Sequence, residues 1–145
     1  MEAMRVSTQE LLTAVRKAMN RVDEILSPKA KCKRGATIFS CEFMIEPERL
    51  AIKVKRECAE LFEGKYEEDD LTYIYTVKPK AVNFKKDESR YPDVGCLELS
   101  KLEKILSSSS SDEVVIYFEF PFTIAKIDDK TIYLTPGLTI ETKAE

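Results

Sequence analysis

The stretch that follows Ser7 limits most narrowly what this chain can fold into, because it carries the start signal and the period of a helix. Ser7 is a favourable N-cap, and Glu10 stands three residues later, which is the spacing of a capping box. Apolar residues then recur at helical spacing, namely Leu11, Val15, Ala18, Met19, Val22 and Leu26. Ser27-Pro28 ends the pattern, since the residue before a proline disfavours helical backbone. The sequence therefore predicts a helix over Thr8–Leu26 with one apolar stripe that needs a partner surface.

The rest of the chain supplies that surface mainly as strands. Alternating or β-rich runs predict strands at Thr37–Ile45, Arg49–Arg56, Leu71–Val77, Ala81–Phe84, Glu113–Phe120, Thr123–Ile127 and Thr131–Leu134. A second amphipathic helix is predicted at about Glu98–Leu106, and the serine run Ser107–Ser111 ends it as a flexible turn.

We expect one α+β domain over residues 1–145, with both helices side by side on one face of a mostly antiparallel sheet. Within it, residues 78–95 are predicted to be an insertion or loop, and residues 138–145 a polar tail. The expected core residues are Leu11, Val15, Met19, Val22, Leu102, Leu106, Ile116 and Ile132.

Several residue types needed for catalysis are missing. The chain has no histidine, which excludes Ser-His-Asp and Cys-His catalysis and histidine-ligated metal sites. Its four glycines are not clustered, so they cannot build a glycine-rich phosphate loop. Pro92-Asp93 and Asp128-Asp129-Lys130 imitate the halves of a metal-dependent nuclease motif, but the second half falls in a predicted hairpin turn. The acidic run Glu67–Asp70 is most simply a solvated turn. We therefore expect no enzymatic activity, no cofactor and no metal.

Length and cysteine content favour an intracellular protein. A chain of 145 residues can bury a core without a disulfide or metal. It has no apolar run of 18 or more residues and no signal-peptide pattern, so we expect a cytoplasmic protein without a membrane partner. Cys32, Cys41, Cys58 and Cys96 include no CxxC spacing, which favours free, partly buried thiols. The Lys- and Glu-rich composition also suits a thermophile, in which intracellular disulfides occur, so a Cys32–Cys41 pair stays open.

The net charge of −3 is unevenly distributed. Residues 1–36 hold eight Lys or Arg and four Asp or Glu, whereas the remainder holds 15 and 22. A protein with a basic N-terminal third and an otherwise acidic chain can contact nucleic acid locally. The overall acidic charge excludes a protein that coats DNA as a polycation.

The order of several segments resembles one known family. Leu97–Leu106, the serines and Asp112–Phe118 resemble the second helix and following strand of a sliding-clamp domain of the proliferating cell nuclear antigen (PCNA) family. Thr123–Pro136 resembles the closing hairpin of that domain. Met44–Val54 and Leu61–Tyr66 are similar to a strand connection and a short motif in its first half. The chain differs in that residues 71–95 add material before the second helix, and in that a PCNA chain carries two such domains, six in its trimeric ring.

The resemblance implies a non-enzymatic, sliding-clamp-like accessory protein of DNA replication or repair. In a clamp the helices offer Lys and Arg to phosphates without reading bases. The residues this assigns to DNA phosphates are Arg16, Lys17, Arg21, Lys101 and Lys104, and those it assigns to partner binding are Leu134, Thr135 and Pro136. Double-stranded DNA, replication or transcription proteins and further copies of the chain are the implied partners. Two alternatives stay open: the basic residues are ordinary solvated positions, or the protein is a small protein-binding regulator without DNA contact, which its acidic body favours.

Overall fold

The computed structural model describes residues 2–33, 35–59 and 70–142. In chain order its elements are β1 (Ala3–Ser7), α1 (Thr8–Ile25), β2 (Ala36–Glu46), β3 (Arg49–Ala59), β4 (Leu71–Val77), β5 (Ala81–Val82), β6 (Asp93–Val94), α2 (Leu99–Ser108), β7 (Glu113–Glu119), β8 (Phe122–Ile127), β9 (Lys130–Leu134) and β10 (Leu138–Thr142). Short 3₁₀ turns occur at Pro28–Ala30, Lys86–Glu88 and Cys96–Glu98. The predictions for Leu61–Tyr66 and for most of the acidic run lie outside the described residues.

The strands form two sheets. Sheet A has the order β5-β1-β7-β8-β9, and sheet B has the order β10-β2-β3-β4, with β6 also pairing with β2. All of these strand pairs are antiparallel. The predicted α+β class and the antiparallel pairing are therefore confirmed, and the structure adds the division into two sheets.

The helices lie side by side and connect the two sheets. α1 contacts α2 directly and packs on β3 and β4 of sheet B, whereas α2 packs on β8 and β9 of sheet A. The start of α1 is fixed by Ser7, whose Oγ accepts a hydrogen bond from the amide of Glu10 at 3.2 Å. We refer to α1 and α2 together as the helix layer.

The core lies between the helix layer and the inner faces of both sheets. Six of the eight expected core residues are buried, namely Leu11, Val15, Val22, Leu102, Leu106 and Ile116. The other two, Met19 and Ile132, are partly buried and pack against the same cluster. The helical stripes were therefore assigned to the correct faces.

The predicted C-terminal tail is wrong for residues 138–142. These residues form β10, which pairs with β2 from Leu138 opposite Ser40 to Thr142 opposite Ala36. Pro136 and Gly137 interrupt the chain after β9, so that the backbone changes sheet before pairing resumes.

The segment 78–95 is integrated into both sheets. β5 pairs with β1 and extends sheet A, and β6 pairs with Cys41 and Glu42 of β2 in sheet B. The strand that precedes this segment, β4, pairs along β3 and forms an edge of sheet B. The segment predicted to be an insertion or loop thus adds one short strand to each sheet.

The cysteines pair differently from the sequence-based interpretation. Cys32 forms a disulfide with Cys58, whereas Cys41 and Cys96 are free and buried. The reason is the β2–β3 register, which places Thr37 opposite Cys58. The amide of Cys32 donates to Thr37 Oγ1 at 2.9 Å and so lies beside Cys58. Free thiols are confirmed only for Cys41 and Cys96, and the Cys32–Cys41 pair is wrong.

Candidate nucleic-acid interface

The helix layer contains the five basic residues that the resemblance to sliding clamps assigns to DNA phosphates. Arg16 and Lys17 are exposed on α1, Lys101 and Lys104 are exposed on α2, and Arg21 is half-buried near the end of α1. The contact between the two helices places these side chains in one layer of the molecule. The surroundings of each side chain then decide how readily it can bind an anion.

Arg16 connects the two helices. Its Nη2 lies 3.2 Å from Glu103 Oε1 of α2, and its Nε donates to the same oxygen at 3.4 Å. Because the Arg16 side chain is more than half exposed, this ion pair is weak and a phosphate can compete for the guanidinium.

Arg21 anchors α1 to the edge strand of sheet B. Its Nε donates to the hydroxyl of Tyr75 at 2.9 Å, and its guanidinium carbon lies 4.2 Å from the centroid of the Tyr73 ring. Its Nη1 also pairs with Glu24 Oε2 at 2.7 Å. The hydrogen bond to Tyr75, followed by that to Glu24, raises the pKa of Arg21 above its ordinary value. Because these contacts engage the guanidinium of Arg21, its main role is to hold α1 against β4.

The three lysines of the helix layer differ from one another. Lys101 Nζ pairs with Glu98 Oε2 at 2.8 Å, one helical turn away. Lys17 and Lys104 form no ion pair with any residue that the structure describes. They are the basic groups of the helix layer best placed to bind an external anion.

Acidic residues balance the basic ones on the same surface. The helices and their flanking turns carry five carboxylates, at Glu10, Asp23, Glu24, Glu98 and Glu103. The face is therefore a nearly neutral mosaic in which three of the five cations already have carboxylate partners. Sequence reasoning found the positions of the charges, but it could not find the Arg16–Glu103 pair between the helices, because that pair depends on tertiary contact.

An open groove runs between α1 and β4. Its volume is about 440 Å³, and its lining residues are Glu10, Thr13, Ala14, Lys17, Ile74, Tyr75, Thr76, Val77 and Lys78. Lys17 therefore borders both the outer surface and this groove, where it shares the lining with Lys78 and the carboxylate of Glu10.

The three residues assigned to partner binding are not alike. The side chain of Leu134 is fully buried, so its assignment to a partner surface is wrong, since β9 directs it into the core. Thr135 and Pro136 are exposed, and the Thr135 carbonyl accepts a hydrogen bond from the Gly95 amide at 3.0 Å. Leu138 and Ile140 on β10 are also at least half exposed. The sequence-based prediction missed these two residues because it assigned them to a tail.

The nuclease-like residues form no metal site in the part of the chain that the structure describes. Asp93 lies in β6, whereas Asp128 lies in the β8–β9 turn with a positive φ of 54°. Ser109 Oγ donates to Asp128 Oδ2 at 2.8 Å, which connects that turn to the end of α2. Among residues 2–33, 35–59 and 70–142 no three His, Cys, Asp or Glu side chains are grouped to hold a metal.

Neither α1 nor α2, the two helices of the described residues, is long and apolar enough to cross a lipid bilayer.

Comparisons with known proteins give one structural likeness. No known protein family and no curated protein matches the sequence. The fold is similar to the crystal structure of the DNA polymerase III β subunit from Thermotoga maritima, with a TM-score of 0.54 and 11% sequence identity. The match covers 94% of this chain and 30% of that one. At this identity the likeness shows the fold alone, and the fold is clamp-like.

Proposed function

We propose that this protein is a non-enzymatic, PCNA-like accessory factor of DNA replication or repair that contacts DNA phosphates through its helix layer. The observation that carries the proposal is the clamp-like fold with α1 and α2 side by side, which leaves Lys17 and Lys104 exposed without an ion pair among the described residues. The T. maritima protein is a subunit of a DNA polymerase by its description, and a role beside a polymerase is carried over here as part of the proposal.

The contact is expected to be electrostatic and independent of sequence. Lys17 and Lys104 bind phosphates first. Arg16 and Lys101 then release their carboxylate partners and bind phosphates in their place. This exchange is feasible because exposed ion pairs contribute only about 0–1 kcal/mol. Arg21 stays on β4, since its stacking and hydrogen bonds are made within the fold. No base-reading contact is involved, so the protein remains free to move along the duplex.

Partner proteins would bind at the start of β10. Thr135 and Pro136 are exposed there, and the exposed apolar side chains of Leu138 and Ile140 follow on the next strand. An apolar surface beside a proline-containing turn suits a short peptide segment of a replication or transcription protein. This surface replaces the one that included the buried Leu134.

A second candidate is a protein-binding regulator that never contacts DNA. The observation that favours it is the charge balance of the helix layer, in which Glu103, Glu24 and Glu98 each hold one of the cations. The overall net charge of −3 adds a weak repulsion from DNA.

DNA binding tests the first candidate directly. Fluorescence anisotropy of a labelled duplex is measured at low and moderate salt for the wild type and for Lys17→Glu/Lys104→Glu. Each lost phosphate contact removes about 0.9 from the slope of log affinity against log salt, so the double variant should lower that slope by about two. The loss of affinity should be the same for duplexes of different sequence, because no bases are read.

A matched charge variant separates a local effect from a general one. Lys86→Glu/Lys126→Glu makes the same change in net charge at two exposed lysines outside the helix layer. It should bind DNA nearly as the wild type does. No binding by the wild type at low salt, or equal loss in both double variants, would leave the regulator as the better account.

The assembly state tests the clamp-like part of the proposal. One clamp-like domain cannot close around a duplex without further domains, and we propose that other copies of the chain supply them in a homo-oligomer. Mass measurement with and without DNA, followed by retention on circular but not linear plasmid, would show encirclement. A monomer in both measurements would contradict a ring.

A further inference from the structure

Two free cysteines lie against each other in the core, outside the proposed DNA face. Cys41 Sγ donates its hydrogen to Cys96 Sγ at a sulfur–sulfur distance of 3.5 Å. Cys41 is completely buried, and Cys96 retains about 5% of its surface exposed. The pair is separate from the disulfide between Cys32 and Cys58.

The strand register explains why these two thiols meet. Cys41 lies in the middle of β2 directly opposite Val94 of β6. Cys96 follows Val94 by two residues and opens the 3₁₀ turn Cys96–Glu98, so the chain carries Cys96 past Cys41 as it leaves β6. The pairing of β2 with β6 therefore brings Cys96 next to Cys41.

The environment makes the two sulfurs chemically unequal. The hydrogen bond to Cys96, followed by burial, raises the pKa of the Cys41 thiol above its ordinary value. The same hydrogen bond, accepted by Cys96, lowers the pKa of Cys96. Cys96 is also the more exposed of the two, and a thiol with more thiolate character and more access reacts first with an oxidant.

We propose that Cys41 and Cys96 form a redox-reactive pair that closes to a second disulfide when the protein meets hydrogen peroxide. The Cys96 thiolate attacks one peroxide oxygen, which gives the sulfenic acid on Cys96 and releases hydroxide. The sulfur of Cys41 then attacks the Cys96 sulfur, the S–S bond forms, and the sulfenic hydroxyl leaves as water with the Cys41 proton. In sum, two thiols and one hydrogen peroxide give one disulfide and two waters.

Closure would fasten α2 to sheet B. Cys96 begins the short turn that leads into α2, and Cys41 is 55 residues earlier in the chain. A bond between them constrains a long loop of the unfolded chain, which is where cross-links stabilise most in the chain-entropy description. The oxidised protein should therefore melt at a higher temperature and exchange the amide hydrogens at the start of α2 more slowly.

The test is a map of cross-linked peptides in the full chain. The protein is titrated with hydrogen peroxide, its remaining thiols are alkylated under denaturing conditions, and unreduced digests are analysed by mass spectrometry. We expect alkylatable cysteines to fall from two to none. The Cys41–Cys96 peptide should appear with the loss of two hydrogens, while the Cys32–Cys58 peptide stays unchanged.

Single variants show the order of the two steps. Cys96→Ser should leave Cys41 reduced at the same peroxide dose, because the reactive sulfur is gone. Cys41→Ser should carry Cys96 on to sulfinic and sulfonic acid, because no second thiol is present to trap the sulfenic acid.

Two results would overturn the proposal, and both are read from the wild type, so they do not depend on whether a variant folds. One is over-oxidation of Cys96 without any Cys41–Cys96 peptide. The other is full retention of both thiols at a dose that oxidises a free small-molecule thiol completely.

Discussion

The two helices of the helix layer are stabilised in different ways, although they share one core. α1 has 18 residues, begins with the Ser7 cap and is anchored by Arg21 to the tyrosines of β4. α2 has 10 residues and no side-chain cap at its start. Its last serines, Ser107 and Ser108, bond back to the carbonyl of Lys104 at 3.2 and 2.9 Å. The comparison indicates that α1 is specified largely by its own sequence. α2 depends on burial, since an isolated helix of 10 residues is unstable in water.

A large effect should come from truncating the buried apolar stripe of α2. Leu102 is completely buried, so Leu102→Ala should lower the free energy of unfolding by about 2–5 kcal/mol through lost burial and the cavity left behind. Urea denaturation monitored by circular dichroism measures this loss. Leu97→Ala is the matched control, because Leu97 precedes α2 and is 77% exposed. It should change stability by less than about 0.5 kcal/mol.

Substituting aspartate into the apolar stripe of each helix tests whether both stripes face the core. Val22→Asp in α1 and Leu102→Asp in α2 each place an unpaired charge in the core, which costs more than truncation. A protein that melts near the wild-type temperature with either change would show that the stripe does not face the core.

A smaller effect should come from the ends of the helices. Ser7→Ala removes the cap of α1 and should cost about 0.5–2 kcal/mol, because the Glu10 amide loses its acceptor. Ser107→Ala at the end of α2 removes only a hydroxyl that bonds back to the helix, and it should stay within about 0.5 kcal/mol. Equal melting temperatures for the two variants would contradict the view that α1 is the locally specified helix.

The smallest effect should come from the ion pair that joins the helices. A double-mutant cycle with Arg16→Ala and Glu103→Ala should give a coupling of about 0.2–1 kcal/mol, as is usual for exposed pairs. The coupling should decrease at high salt because exposed charges are screened. A coupling that is several-fold larger and independent of salt would mean that Arg16 is too firmly held to exchange Glu103 for a phosphate.

Local signals predicted most of the fold. The capping box at Ser7 and the apolar periods of both helices are properties of adjacent residues, and so are the alternations that mark β3 and β4. β10 was missed because its pairing with β2 lies about one hundred residues away and its apolar residues face outward. The residues that meet in the disulfide are likewise set by the β2–β3 register, which spacing in the sequence does not encode.

For the candidate site, the sequence predicted which lysines are exposed, but it did not predict the contacts of the two arginines. Helical periodicity places Lys17 and Lys104 on exposed faces, as the structure confirms. It could not reveal that Arg16 pairs with Glu103 or that Arg21 lies on Tyr73, because these contacts depend on how two helices and a strand come together. Leu134 was misassigned since a short edge strand gives too little alternation to show which side faces inward.

The place of β10 beside β2 has a consequence for how the chain folds during its synthesis. Ser40 and its neighbours on β2 leave the ribosome about one hundred residues before their strand partner around Leu138. Until then one edge of β2 offers free amides and carbonyls beside the buried Phe39, which is the arrangement that promotes association between nascent chains. A chain truncated before β10 should therefore aggregate even though its helix layer is intact, and the rate of folding should reflect the closing of this long loop rather than the formation of either helix.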